Sequence, residues 1–163
     1  GYLIVSSLRQ YKRIELAVLA CNQLKRPLTI IGEGPFKKEL QKIAGPTISF
    51  SGYLPHEKIQ EIYRSAKATL FPGEEDFGLV PLESLACGTP VIAYRGGGAL
   101  ETIREGETGE FFDEATANSL MQAIEKFEQK KYSYEKCQQE ARQHTRAKFE
   151  EGIRKNLEEL LKQ

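Results

Sequence analysis

The chain has 163 residues, of which 40% are hydrophobic and 28% charged; that is enough for one ordinary domain with a sizeable core and the wrong balance for a disordered chain. Lys plus Arg and Asp plus Glu number 23 each, so the formal net charge of zero argues against a domain-wide basic field for nucleic acid. Three scattered cysteines without a C-x-x-C pattern argue against a disulfide framework and for a reducing compartment.

The chain opens in the strand-like run "YLIVSS" (2–7), as the second half of a larger protein would. A helix is predicted over 13–24, where Ile14, Val18 and Cys21 recur at helical spacing. The strand "LTIIG" (28–32) and a helix over 36–43 follow, then "TISFSG" (47–52) and a helix over 57–66 with Ile59, Ile62 and Tyr63 on one side. Next come "ATLFP" (68–72), a helix over 79–87, "PVIAY" (90–94), a helix over 99–104 and the weaker strand "GEFF" (109–112). The helix predicted over 115–126 carries Leu120, Ala123, Ile124 and Phe127 near one face, and polar helices are expected over 134–145 and 147–161.

Most of the strand runs are continuously apolar rather than alternating, which is how strands covered on both faces read. Strict strand–helix succession then implies right-handed βαβ crossovers. The expected fold is a Rossmann-like α/β domain over 1–163, a parallel sheet of about six strands with helices on both faces and C-terminal helices. No repeat or linker divides it. His56 and His144 have no metal-ligand spacing, no apolar run approaches the ~20 residues of a membrane span, and no signal peptide is recognisable.

In open parallel sheets ligands sit beyond the carboxyl ends of the strands where the strand order reverses, which singles out the loops 6–12, 32–35, 52–56 and 72–78. The last leads into "FGLVPLESLACGTP" (77–90). Pro81 is tolerated in a first helical turn, and Gly88 with Pro90 ends the helix. The amides of Gly78, Leu79 and Val80 therefore form either an anion site or an ordinary helix start. Glu83 shares a helical row with Leu79 and Cys87; a carboxylate inside that apolar row needs a partner, either ligand hydroxyls or a distant Lys or Arg. Glu75 lies on the preceding loop beside Glu74 and Asp76. In "SSLRQYKR" (6–13), Lys12 and Arg13 stand at a helix entrance, where cations oppose the dipole unless an anion is shared or they are simply solvated. "GEGPFKKEL" (32–40) lacks the third glycine of a dinucleotide fingerprint and follows the second strand, which disfavours a nicotinamide enzyme. The run "GGG" (96–98) decides nothing alone, and Cys87 and His56 read as core and surface residues.

Together these stretches resemble the family 4 retaining glycosyltransferases. "EEDFGLVPLESLACGTPVIA" (74–93) is similar to their E-x7-E signature, with Glu75 and Glu83 as the two acids. "VSSLRQYKRIELAVLA" (5–20), "IIGEGP" (30–35), "ISFSGYLPHEKIQEIYRSA" (48–66) and "GGGALETIREGETGEFF" (96–112) extend the resemblance along essentially the whole chain. It implies the C-terminal, nucleotide-sugar-binding half of a two-domain GT-B fold, completed by an N-terminal acceptor domain of the same enzyme.

By this resemblance Lys12 contacts the donor diphosphate, with Phe77, Gly78, Leu79 and Val80 at the phosphate-binding helix start. Glu83 binds the ribose hydroxyls and Glu75 addresses the sugar, so Glu75 and Lys12 are the catalytic pair. Gly52, Tyr53 and Leu54 lie where the base is held, and Gly34 belongs to the same donor set. The family usually has arginine at the position of Ser7; here the arginine is Arg9, two residues on. The implied reaction is metal-independent hexose transfer from a nucleotide diphosphate sugar to an acceptor hydroxyl. GDP-mannose is favoured over UDP-sugars because "EEDFGLVPLE" with "YRGGGALET" resembles the mannosyltransferase branch. No cofactor and no nucleic acid is expected. A cytoplasmic location is expected, with association at the inner face of a membrane left open. The alternative is a nucleotide-sugar-binding scaffold without catalysis.

Overall fold

The apolar runs become six short strands in the computed structural model, which describes residues 1–144 and 148: β1 (Tyr2–Val5), β2 (Leu28–Ile31), β3 (Ile48–Gly52), β4 (Ala68–Phe71), β5 (Val91–Tyr94) and β6 (Gly109–Phe112). All pair in parallel, in the order β3-β2-β1-β4-β5-β6. Seven α-helices are described: α1 (Ile14–Leu24), α2 (Lys37–Ile43), α3 (His56–Ser65), α4 (Leu79–Ala86), α5 (Ala99–Thr102), α6 (Ala117–Glu128) and α7 (Tyr134–Ala141). The expected Rossmann-like sheet is therefore present. The helix expected over 147–161 lies outside the described residues.

Alternation along each strand divides the core into two layers. Tyr2, Ile4, Leu28, Ile30, Leu70, Ile92 and Phe112 face α1, α2 and α6, meeting Ile14, Val18, Leu40, Leu120 and Ile124. On the opposite face, Phe71, Val91, Ala93 and Phe111 meet Leu85 of α4, Ala99 of α5 and Cys137 of α7. Leu3 and Ile31 on that face pack with Tyr63 of α3 and Cys87. Helices on both faces explain why the strands read as unbroken apolar runs.

The boundaries shift where local chemistry intervenes. The residues before α1 form a 3-10 turn, Gln10–Lys12, so Lys12 ends that turn rather than entering the helix, and Arg13 adopts a left-handed φ of 53° before α1 begins. The Thr116 side chain accepts a hydrogen bond from the Ser119 amide, which moves the start of α6 beyond the expected 115. Following α7, Arg142–His144 tightens into a 3-10 turn.

Two carboxylates fasten α6 to the sheet. Glu128 accepts hydrogen bonds from Arg26 Nη2 at 2.7 Å, Lys67 Nζ at 2.8 Å and the Tyr2 hydroxyl at 3.0 Å. The Arg26 bond leads in holding its pKa down, at about 2. Glu110 on β6 is wholly buried and pairs with Lys126 and Lys130, each at 2.6 Å. Burial raises its pKa, yet the bonds from these lysines and Tyr132 outweigh that and leave it lowered.

Candidate functional site

The strand order reverses between β1 and β4: from β1 the chain steps outward to β2 and β3, whereas β4 lies on the other side of β1 and leads to β5 and β6. Loops leaving the ends of β1 and β4 are thus splayed apart, and a crevice opens between them. A cavity of about 630 Å³ lies there, lined by Tyr11, Lys12, Glu74, Glu75, Asp76, Phe77, Gly78, Leu79, Val80 and Glu83.

Several glycine contacts fix the walls. An added Cβ on Gly34 would stand 2.3 Å from the Leu8 carbonyl oxygen, so only glycine lets the loop after β2 lie this close to the loop after β1. The two loops are joined by Leu8 N–H donating to the Glu33 carbonyl at 2.9 Å and Phe36 N–H donating to the Leu8 carbonyl at 3.0 Å. On the other wall, Gly97 has a φ of +55°, and its absent Cβ would meet the Glu75 carbonyl oxygen at 2.3 Å. The neighbouring Gly98 N–H donates to that same carbonyl at 2.8 Å. The "GGG" run, which alone decided nothing as sequence, is the backing of the acidic loop.

Lys12 and Glu75 meet across the crevice, Nζ to Oε1 at 2.5 Å, with side chains 13% and 29% exposed. Lys12 Nζ also lies 5.1 Å from the centre of the Tyr11 ring. The adjoining α4 starts at Gly78, which has a left-handed φ of 56° and makes no side-chain cap. Its first-turn amides therefore present the positive end of the helix toward a cavity that already holds a lysine. The full lining carries Glu74, Glu75, Asp76 and Glu83 against the single cation Lys12. Positive charge in the lining is thus confined to the Lys12–Gly78 corner, and the other charged walls are acceptors.

Glu83 departs from the expected environment. It is exposed, as is Leu79 one turn earlier, and only Cys87 of that row is buried. The row faces the cavity, while Pro81, Ser84 and Leu85 form the side of α4 that packs inward. Its partner is also neither of the expected ones: the Tyr63 hydroxyl donates to Glu83 Oε2 at 3.4 Å. Among the described residues no Lys or Arg forms an ion pair with it.

The remaining predicted residues do not line the cavity. Ser7 and Arg9 are exposed, and Arg9 sits at the start of the 3-10 turn without a side-chain cap. Gly34 is spent on the contact with Leu8. Gly52 ends β3 and Tyr53 and Leu54 follow it, two strands from β1 and thus about 10 Å across the sheet. Tyr53 is 83% exposed there, while Leu54 leans on the Leu3, Ile31 and Tyr63 cluster. Sequence reasoning passed over Tyr11 and Tyr63 as site residues. Adjacency to Lys12 was the available signal for Tyr11; Tyr63 gave only a helical periodicity.

Such a crevice at the switch of an open parallel sheet places the chain among the doubly wound α/β proteins that take ligands at that edge. Residues 2–144 match the family described as "Glycosyl transferases group 1", and the chain belongs to it.

Among curated relatives, it is 46% identical over 67 residues to the D-inositol 3-phosphate glycosyltransferase of Acidothermus cellulolyticus, covering 40% of this chain and 15% of that protein. It is 30% identical over 138 residues to the GDP-mannose-dependent alpha-(1-6)-phosphatidylinositol monomannoside mannosyltransferase of Mycolicibacterium smegmatis, covering 74% of this chain and 36% of that protein. Among solved structures, Anabaena HepE in complex with UDP superposes with a TM-score of 0.79 at 21% identity, over 97% of this chain and 48% of that one. Sucrose-phosphate synthase from Thermosynechococcus elongatus gives a TM-score of 0.75 at 27% identity, over 99% and 45%. The chain thus spans well under half the length of those two curated relatives and just under half of the two structures.

Proposed function

We propose that the chain is the donor-binding half of a family 4 retaining glycosyltransferase that moves a hexose, with mannose from GDP-mannose favoured, to an acceptor hydroxyl. The observation that carries this reading is the meeting of Lys12, Glu75 and the uncapped start of α4 in one cavity, with Glu83 one turn further along the helix. The diphosphate docks at the Lys12–Gly78 corner. Charge that develops on it as the glycosidic bond breaks is met by Lys12 and by the amides of Gly78, Leu79 and Val80. Preorganised donors of this kind contribute about 2.7–4 kcal/mol each in measured oxyanion sites. Because lysine and helix amides supply the positive charge, the reading needs no metal.

Glu75 holds the sugar hydroxyls and Glu83 the ribose diol, which matches the excess of acids over cations in the rest of the lining. Glu75 is assigned to Lys12 and the sugar hydroxyls rather than to nucleophilic attack, which suits departure and attack on the same face of the sugar. Turnover requires the acceptor domain of the same enzyme on the open side of the crevice. The GDP-mannose dependence of the mycobacterial relative supports the mannosyl donor, and the UDP complex of HepE supports a nucleoside diphosphate. The reaction is placed in the cytoplasm, at a membrane face where the acceptor is lipid-linked.

Isothermal titration calorimetry of the chain with GDP and with UDP tests the reading. Micromolar GDP binding with weaker UDP binding is expected. UDP binding without a GDP response overturns the choice of base, and no binding of either overturns the donor-half assignment.

A further inference from the structure

Tyr63 has no part in the chemistry above, yet it connects the core to the cavity. Its ring is 1% exposed and packs with Leu3, Ile31 and Cys87 beneath α3 and α4. The hydroxyl nevertheless reaches Glu83 Oε2 at 3.4 Å, and among the described residues it is the only side-chain hydrogen-bond partner of Glu83. The backbone of Tyr63 is fixed as well. Its carbonyl accepts from Thr89 Oγ1 at 2.6 Å and from Ala66 N–H at 3.0 Å. One residue of α3 thus holds α4 at two points, by its phenol at Glu83 within the helix and by its carbonyl through Thr89 beyond the C-terminal end.

A buried phenol requires an acceptor, and here that acceptor is an exposed carboxylate on the cavity wall. Burial, reinforced by the Glu83 charge, raises the phenol pKa, so the group remains a donor. At 3.4 Å the contact is long for an O–H···O⁻ bond. A contact of this length biases the carboxylate only weakly as it stands and has room to shorten when the carboxylate engages a ligand.

We propose that Tyr63 is a positioning residue for Glu83. Its hydroxyl holds Oε2 and leaves Oε1 to accept hydrogen bonds from the vicinal hydroxyls of a ribonucleotide, so that discrimination between ribose and deoxyribose depends on Tyr63 without any contact between Tyr63 and the ligand. This deepens the donor-site reading and rests on it.

The test uses whichever of GDP and UDP binds the native chain more tightly, together with its 2′,3′-dideoxy form. Both are titrated calorimetrically into the native chain, Tyr63→Phe, Glu83→Ala and the double variant. Tyr63→Phe removes one oxygen and keeps the buried ring, and a cooperative melt checks its fold. Expected is a three- to tenfold weakening, about the worth of one ordinary hydrogen bond and in keeping with so long a contact, for the ribonucleotide alone. The dideoxy form should change by less than about twofold, and in the Glu83→Ala background Tyr63→Phe should have no further effect. Equal losses for both nucleotides, additive effects of the two substitutions, or an unchanged ribonucleotide affinity would each overturn the proposal while leaving the donor site standing. A native chain that binds neither GDP nor UDP would take down the donor-site reading and this inference together.

Discussion

Lys12 Nζ and Glu75 Oε1 are 2.5 Å apart, so the one cation of the cavity is held by one of its acids. A diphosphate entering the Lys12–Gly78 corner therefore competes with Glu75 for the ammonium and meets a negative charge beside it. Removing that charge frees Lys12 at the same stroke. Glu75→Gln is expected to tighten nucleoside diphosphate binding about fivefold, corresponding to about 1 kcal/mol for a partly screened charge pair. Lys12→Ala is expected to weaken it tenfold or more, by calorimetry on the chain. In the enzyme completed by its acceptor domain, Glu75→Gln should abolish transfer although the donor binds better. Unchanged transfer would leave a binding scaffold as the better description.

The loop after β1 offers a gain-of-function test. Ser7 stands where the resemblance implies arginine; it and the nearby Arg9 are both exposed and neither lines the cavity as it stands. Ser7→Arg is expected to tighten nucleoside diphosphate binding several-fold and to steepen its loss with added salt, since a second cation would join Lys12. Arg9→Ala should change affinity by less than about twofold. A tenfold loss on Arg9→Ala would show that the shifted arginine already serves the phosphate.

Gly97 and Gly106 form a matched pair for testing the backing of the acidic loop. Both have positive φ, +55° and +78°, but a Cβ on Gly97 meets the Glu75 carbonyl oxygen at 2.3 Å while one on Gly106 has only Lys130 Nζ at 3.6 Å. Gly106→Ala should lose only the left-handed penalty of about 1–2 kcal/mol. Gly97→Ala must also push the Glu75 backbone aside, so urea unfolding should show a larger loss, about 3 kcal/mol, accompanied by altered nucleotide affinity. Equal stability losses with unchanged binding would mean that the loop adjusts freely.

The strands and their parallel direction were legible because burial on both faces writes itself as unbroken apolar runs, as in "LTII" and "VIAY". Helix ends were less so. Arg13 in a left-handed conformation and Thr116 as a cap are decided by one residue each, and periodicity averages over such residues. Within the site, the loop positions of Lys12 and Glu75 followed from the switch-point rule, but their pairing did not, because it joins residues far apart in sequence. Glu83 was misread as lying inside an apolar row since spacing shows which residues share a face, not what that face meets. The Tyr63 hydroxyl escaped for a related reason: a tyrosine in an apolar row reads as core until its hydroxyl is located.

Far from the cavity, Glu128 is expected to contribute to the acid limit of the fold. It joins Tyr2 of β1, Arg26 before β2 and Lys67 before β4 to the end of α6, with 17% of its side chain exposed. Its pKa is lowered from 4.5 to about 2, chiefly by the Arg26 hydrogen bond. A carboxylate depressed in the folded state stabilises that state fully above its unfolded pKa, and the contribution is lost as pH falls from 4.5 toward 2. Arg26 and Lys67 are 42% and 49% exposed, so solvent screening reduces the gain to about 2 kcal/mol. Urea unfolding between pH 7 and pH 2 should show native stability falling across that window. Glu128→Gln should be less stable than the native chain at pH 7, lose less over the same range, and converge with it near pH 2. Parallel curves for the two proteins would show that Glu128 is not the group whose protonation limits the fold in acid.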